Sequence, residues 1–348
     1  MHWGTVFATL GAMSNSSSRS VLVTRSESGE ISTQLVAADA SHVNDGDVLI
    51  DVAFSSLNFK DGMALEGNRG VARTFPLVPG IDAVGVVVES ASDRFAVGDK
   101  VVANGEGLGE FRHGGYTAQQ RLHSEATVAL PAAFSMRQAA AIGTAGYTAA
   151  LCVNALIKHG VKPEDGPILV TGATGGVGSI AVHLLAQRGY SIVASTGRVE
   201  EHGNYLRALG AGEVIDRATL SEKSKPLQKA VYAGVVDCVG SHTLVNACAQ
   251  TMWGGIVTAC GLAQGPDLPG TVLPFILRGV SLVGVDSVNA PLALREEAWA
   301  LLAETIDVSV LESLTTTVGL DGVIEAGAQL LRNERHGRTV VVVNPDAE

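Results

Sequence analysis

The sequence predicts an α/β protein of two units, a doubly wound parallel sheet of Rossmann type joined to a β-rich, barrel-like unit. Three observations predict it. An apolar strand, Pro167–Val170, runs into a turn with Gly172, Gly175 and Gly178 and then into a helix reaching Arg188. A second strand-like stretch, Tyr190–Ser195, follows at the distance of a βαβ unit, and the strands beyond it keep alternating with helical stretches, a pattern that demands parallel strands with helices on both faces. Before about residue 140, by contrast, short strands are bounded by Gly, Asn and Asp turns.

In chain order, residues 1–20 read as a disordered or mis-assigned extension. Met1–Met13 is apolar but lacks the basic start of a signal peptide, the Ser14–Ser20 tract suits disorder, and Met13 offers an alternative start. Residues 21–140 form the first unit, with strands at Val21–Val23, Ile31–Leu35, Asp47–Ala53 and Ala83–Val88, and a turn at Phe95–Asp99 leading into one more. Around Met136 the period changes to helical through Ala139, Ala140, Ile142, Tyr147 and Leu151, which marks the entry to a nucleotide-binding unit over 141–290. There a helix near Tyr205–Leu209 stops at Gly210, and strands are expected at Glu213–Ile215, Val235–Val239 and Gly255–Cys260, with a helix over Thr243–Thr251. Val280–Val285 reads as a sixth strand at the sheet edge. Over 291–348 a helix passes through Trp299 to about Thr305, and Gly337–Val343 supplies a last strand that returns to the first unit.

The glycine turn carries the first functional expectation. Glycine lets the backbone approach a diphosphate, and the unpaired N–H groups opening a helix, with its dipole, stabilise that charge. The spacing departs from G-x-G-x-x-G, so a plain strand–turn–helix corner also fits. At the end of the second strand, where NAD-preferring folds place a carboxylate for the ribose hydroxyl, stand Ser195, Thr196, Gly197 and Arg198. Two hydroxyls and a guanidinium suit a 2′-phosphate, so NADPH is the expected cofactor. The alternative is an arginine solvated at the start of the next helix.

A net charge of −11 argues against a general nucleic-acid surface. The four cysteines, 152, 238, 248 and 260, show no C-x-x-C spacing and lie in apolar segments, which suits free thiols in a reducing cytoplasm. No run of eighteen apolar residues marks a membrane span.

Further motifs stand at Ser56–Gly62, Phe75–Asp82, Ile142–Thr148, Cys260–Leu262, Pro274–Arg278, Gly284–Ser287 and Gly337–Thr339, beside the Thr171–Ser179 turn. On these the chain resembles the medium-chain dehydrogenase/reductases of the quinone-oxidoreductase branch, most closely the YhdH-type acryloyl-CoA reductases. It implies a GroES-like first unit and a homodimer paired through the Val280–Val285 edge. It also implies cofactor contacts at Phe59, at Thr174, Gly175, Gly176 and Val177, at Ser195 through Arg198, and at Leu262, Ile276, Ser287 and Asn333. Phe59 stands where relatives carry a tyrosine, which removes a phenol donor. Zinc-dependent cousins carry G-H-E where this chain has Gly80, Ile81 and Asp82, and no Cys precedes Cys152, so too few zinc ligands are present.

Asn58, Lys60 and Asp61, just after an apolar strand, are the candidate catalytic residues; Lys60 and Asp61 also suit the cap of a helix start. Arg112 and His113 sit in a glycine-rich loop and read as solvated rather than pocket-lining. His183 reads as a packed helix residue. Three functions fit: an NADPH-dependent reductase of an enoyl-CoA or quinone-like enone, a zinc alcohol dehydrogenase, and a non-catalytic NADPH sensor. For the first, Asn58, Lys60 or a backbone N–H would stabilise the developing oxyanion.

Overall fold

The computed structural model describes residues 18–346. Strands β1 (Arg19–Arg25) and β2 (Ile31–Ala37) form an antiparallel pair. The expectation for residues 1–17 falls outside the described residues, and that for 18–20 is corrected. Ser20 is buried within β1, and its hydroxyl meets that of Thr117 at 2.7 Å, so order begins ahead of Val21.

The first unit's sheet has seven strands. β3 (Val48–Ser56), β4 (Asp82–Ser90), β5 (Lys100–Asn104), β6 (Gln119–Leu122) and β7 (Thr127–Ala129) come from the first half of the chain, and β3 leads into α1 (Phe59–Leu65). The central strands pair antiparallel, and β3 and β4 carry long buried runs.

α2 (Met136–His159) joins the units. By length and composition it could cross a membrane, but 78% of its most apolar window is buried, and its Ile142, Ala149 and Val153 belong to one core with residues of both sheets. The helix is broken at Gly143, where φ is +50°. A side chain there would also lie within 2.8 Å of Ser56 Oγ, Arg338 Nη2 and Asp82 Oδ2, so this residue must be glycine on two counts.

The second unit follows: β8 (Ile168–Val170), α3 (Gly176–Gln187), β9 (Ile192–Thr196), α4 (Val199–Ala208), β10 (Glu213–Asp216), α5 (Ala218–Ser221), β11 (Tyr232–Asp237), α6 (Ser241–Gln250), β12 (Thr251–Ala259), α7 (Leu273–Arg278) and β13 (Ser281–Gly284). The strand order β10-β9-β8-β11-β12-β13 is parallel throughout, with β13 at the edge. Central β8 and β11 are buried at every residue, as strands covered on both faces must be.

The chain closes with α8 (Leu292–Thr305), α9 (Val308–Ser313), β14 (Thr315–Gly319), α10 (Val323–Leu331) and β15 (Arg338–Val342). β15 pairs with β3, so the last strand does return to the first sheet. β14 lies parallel beside it at the edge; its threonines are largely exposed and show no clean alternation, and the sequence reading did not place it.

Candidate functional site

Asn58 caps α1 just beyond β3, and the polar groups of both units converge on it. Its backbone N–H donates to Asp61 Oδ2 at 2.8 Å. Its side-chain amide donates toward Asp82 Oδ2 (2.9 Å), Asp61 Oδ2 (3.0 Å) and Ser56 Oγ (3.0 Å), while its Oδ1 accepts from Arg338 Nη1 at 3.2 Å. The charges therefore set which way the amide points. Both amide hydrogens face inward onto acceptors, which corrects the expectation that Asn58 donates to a substrate oxyanion.

Asp82, the first residue of β4, is fully buried. Its Oδ1 accepts from Asn104 Nδ2 (2.6 Å), Thr144 N (2.9 Å) and Thr144 Oγ1 (2.6 Å), and its Oδ2 also accepts from the Ser56 hydroxyl. The break at Gly143 frees the Thr144 N–H, so a first-unit carboxylate caps the second half of α2. Asn104 is held in turn by the indole N–H of Trp299, whose Nε1 lies 3.1 Å from Asn104 Oδ1. Arg295, one helical turn earlier, donates to the carbonyls of Asn104, Val288 and Ala290 at 2.6, 2.7 and 2.8 Å.

Asp61 is likewise buried. Burial, and then the Asp82 charge, push its carboxyl up to about 7, against N–H donation from Asn58 and Ile81. The Arg338 guanidinium is also buried; its Nε donates to Ala141 O at 2.7 Å, and its Nη2 has no protein partner. One cation thus faces two carboxylates, and near neutrality the cluster takes up a proton.

Lys60 points the other way. Its Nζ meets Glu110 Oε1 at 2.8 Å, with the lysine side chain 41% exposed and the glutamate 6%. Phe59 beside it is 54% exposed. Arg112 and His113 are not solvated as expected: Arg112 is ion-paired to Glu106 at 2.8 Å with its side chain 11% exposed, and His113 Nδ1 accepts from Val78 N at 3.0 Å. His183 is packed, its Nε2 accepting from Asp307 N at 3.1 Å.

The glycine turn abuts this cluster. Gly172 has φ +60°, a Cβ on Gly178 would strike the Gly172 carbonyl, and one on Gly176 would lie 2.8 Å from Arg338 Nη1. Thr174 O accepts from Gly337 N at 3.4 Å, so Thr174, Gly175, Gly176 and Val177 all lie on the turn and first helical residues facing the last strand. At the end of β9, Ser195 is buried with its hydroxyl unpartnered, and Thr196 Oγ1 accepts from Arg198 N at 3.3 Å. Arg198 lies 3.6 Å from Glu201, half exposed. A Cβ on Gly197 would lie 2.7 Å from Arg217 Nε, so a second guanidinium covers that glycine. The sequence reading missed Arg217. Its signal was position, directly after the next parallel strand. Ser287 reaches the first unit, its carbonyl 3.0 Å from where a Gly105 side chain would start. Leu262 and Ile276 are exposed, and Asn333 takes φ +58° beyond α10; among the described residues no hydrogen bond joins Ile276 or Asn333 to the turn.

A dinucleotide fits these residues. The turn opens α3 with free N–H groups, close packing requires glycine at Gly176 and Gly178, and the buried Ser195 hydroxyl beside it has no protein partner. Zinc does not fit. Asp82 already accepts from five donor groups, the cation Arg338 lies beside it, and no thiol precedes Cys152.

These features define a two-unit, dinucleotide-binding oxidoreductase. Residues 44–156 match the alcohol dehydrogenase GroES-like domain family and residues 176–304 the zinc-binding dehydrogenase family. The chain is 44% identical over 323 residues to the probable acrylyl-CoA reductase AcuI of Escherichia coli, covering 93% of this chain and 99% of that protein. It is 42% identical to the acrylyl-CoA reductase AcuI of Ruegeria pomeroyi, covering 91% and 96%. The yhdH oxidoreductase of Salmonella enterica in complex with NADP superposes with a TM-score of 0.91 at 42% identity, covering 94% of this chain and all of that one. The chain belongs to the medium-chain dehydrogenase/reductase superfamily, in the group that holds these YhdH-type proteins.

Proposed function

We propose that this protein is an NADPH-dependent acryloyl-CoA reductase that yields propanoyl-CoA without a metal. The observation that carries the reading is likeness to the acrylyl-CoA reductase AcuI of Ruegeria pomeroyi, and to the probable one of Escherichia coli, over nearly the whole length of each. NADPH, when bound, supplies the hydride for the β-carbon of the thioester-conjugated double bond. The residues proposed to hold it are the turn Thr174–Val177, the Ser195–Arg198 segment with Arg217, and Phe59, Leu262, Ile276, Ser287 and Asn333.

The protein's own tasks are positional and electrostatic. As the double bond is reduced, negative charge moves to the thioester oxygen, and donors already in place stabilise it without reorganising. Lys60 is proposed as that donor. Its ammonium is half exposed and aimed by Glu110, which occupies one N–H and leaves the others free. Asn58 and Asp61 are proposed to act from behind, with Asp82 and Arg338, holding the start of α1 so that Phe59 and Lys60 face the seam beside the glycine turn. We further propose a cytoplasmic homodimer paired through β13.

The test is loss of NADPH absorbance with the purified protein against acryloyl-CoA, longer enoyl-CoAs and simple quinones. Acryloyl-CoA is expected to turn over fastest. Rapid reduction of quinones with every short enoyl-CoA ignored would replace this reading with an NADPH:quinone reductase, and no turnover of any acceptor despite tight NADPH binding would leave a sensor.

A further inference from the structure

The second unit holds a pair of thiols that the proposed reaction does not use. Cys238 and Cys260 each follow the last paired residue of neighbouring parallel strands, Asp237 of β11 and Ala259 of β12, so the sheet delivers them side by side. Their Sγ atoms are 3.8 Å apart, and Cys260 Sγ also lies 3.3 Å from Asp237 O. Both are half-buried, whereas Cys152 on α2 and Cys248 on α6 are buried.

The pair also sits against the cofactor turn. Cys238 Cβ lies 3.4 Å from where a Gly172 side chain would start, and Gly261, next after Cys260, packs so closely on the Cys238 carbonyl that no side chain fits. Leu262, a proposed cofactor contact, is the next residue.

We propose that Cys238 and Cys260 form an oxidative modification site, closing to a disulfide when the protein meets a hydroperoxide. The Cys238 thiolate attacks the terminal peroxide oxygen, the O–O bond breaks, and with hydrogen peroxide a sulfenic acid and water result. Cys260 sulfur then attacks that sulfenic sulfur, the S–O bond breaks, and a second water leaves. Two thiol protons and two electrons have passed to the peroxide. Cys238 is assigned the first attack because it lies against the glycine turn, its Cβ 3.4 Å from where a Gly172 side chain would start, while Cys260 Sγ is held 3.3 Å from Asp237 O. Cys152 is buried on α2, which keeps peroxide from its sulfur.

A disulfide has sulfurs about 2.05 Å apart, so the pair must close by roughly 1.8 Å. That movement draws the Cys260–Leu262 turn onto β11 and disturbs the face where the dinucleotide is proposed to lie, so oxidation weakens NADPH binding.

The experiment treats the full-length protein with hydrogen peroxide and follows thiol titration, non-reducing peptide mass mapping and NADPH titration. Two of the four thiols should be lost, in a Cys238–Cys260 cross-link that dithiothreitol reverses, with NADPH affinity falling and returning in step. Cys238→Ser should abolish the cross-link, while Cys248→Ser should leave it intact. A Cys152–Cys260 link, or oxidation to sulfinic acid at single cysteines, would overturn the pairing. A cross-linked protein with unchanged NADPH affinity would overturn the coupling to the cofactor. Because the readout is a bond and a binding constant, neither result depends on which substrate the enzyme reduces.

Discussion

Asp61 shows how a single residue sets a pH dependence. Its carboxyl moves from an ordinary 3.8 to about 7 in the fold, by burial and then by the charge of Asp82. The folded state thus binds more protons than the unfolded chain between those values, and this group's contribution to stability declines as pH rises from about 4 to 7. At ~1.4 kcal/mol per unit the upper bound is roughly 4 kcal/mol. Urea midpoints measured from pH 4 to pH 8 should fall through that window, and Asp61→Asn should flatten the slope while lowering stability at the acid end, because its new N–H₂ cannot accept from Asn58. An unchanged slope in the variant would assign the effect elsewhere. Lys60 belongs to a different category, half exposed and paired to Glu110. Lys60→Ala is expected to lower kcat on the order of a hundredfold, the usual cost of an oxyanion donor, with little change in NADPH affinity. Equal losses in both would make Lys60 a cofactor contact instead. Trp299→Phe, which removes the indole N–H behind Asn104 and leaves a cavity in the core, should lower the urea midpoint and reduce kcat more mildly than Lys60→Ala, with KM near its original value.

At the scale of elements, the end of β9 is the segment proposed to decide cofactor choice. Ser195 and Thr196 close the strand, Arg198 opens α4, and Arg217 arrives from the end of β10 to cover Gly197. No carboxylate lies on Ser195–Arg198 to favour a free ribose hydroxyl. Arg198→Ala and Arg217→Ala should each weaken NADPH by about tenfold, or ~1.4 kcal/mol, and leave NADH nearly untouched; the double variant should bring the two cofactors together. Fluorescence titration of both cofactors checks this, and equal affinities in the unaltered protein would overturn it. The β8–α3–β9 unit was legible in the sequence because its signals are local: an apolar strand, glycines within seven residues, and a helix. The motifs Phe75–Asp82 and Gly337–Thr339 were visible too, but their meeting at Asn58 was not. Arg338 reaches Asn58 across 280 residues and Thr144 reaches Asp82 across 62, and no periodicity reports a contact of that range. Arg217 escaped for the same reason, since only the parallel register of β10 on β9 brings it over Gly197.

For the whole molecule, the open question is what covers the edge of the second sheet. β13 pairs with β12 on one side and with nothing on the other among the described residues. Next to it, Val272 and Leu277 are 62% and 58% exposed, apolar surface at the margin of an unpaired strand. Native sheets seldom leave such an edge bare, because its free N–H and C=O groups recruit another strand. A second copy offering the same edge satisfies both at once: two β13 strands related by a two-fold axis run antiparallel, and the apolar residues of each α7 region cover the other. The two six-stranded sheets then become one of twelve. Light scattering should accordingly report twice the 35.8 kDa chain mass. The double variant Val272→Asp with Leu277→Asp places like charges against each other across the axis and should yield monomer, with the first unit's Asn58 cluster and Arg198 untouched. If the unaltered protein ran as a monomer at micromolar concentration, or the charged variant remained a dimer, the pairing through β13 would be wrong.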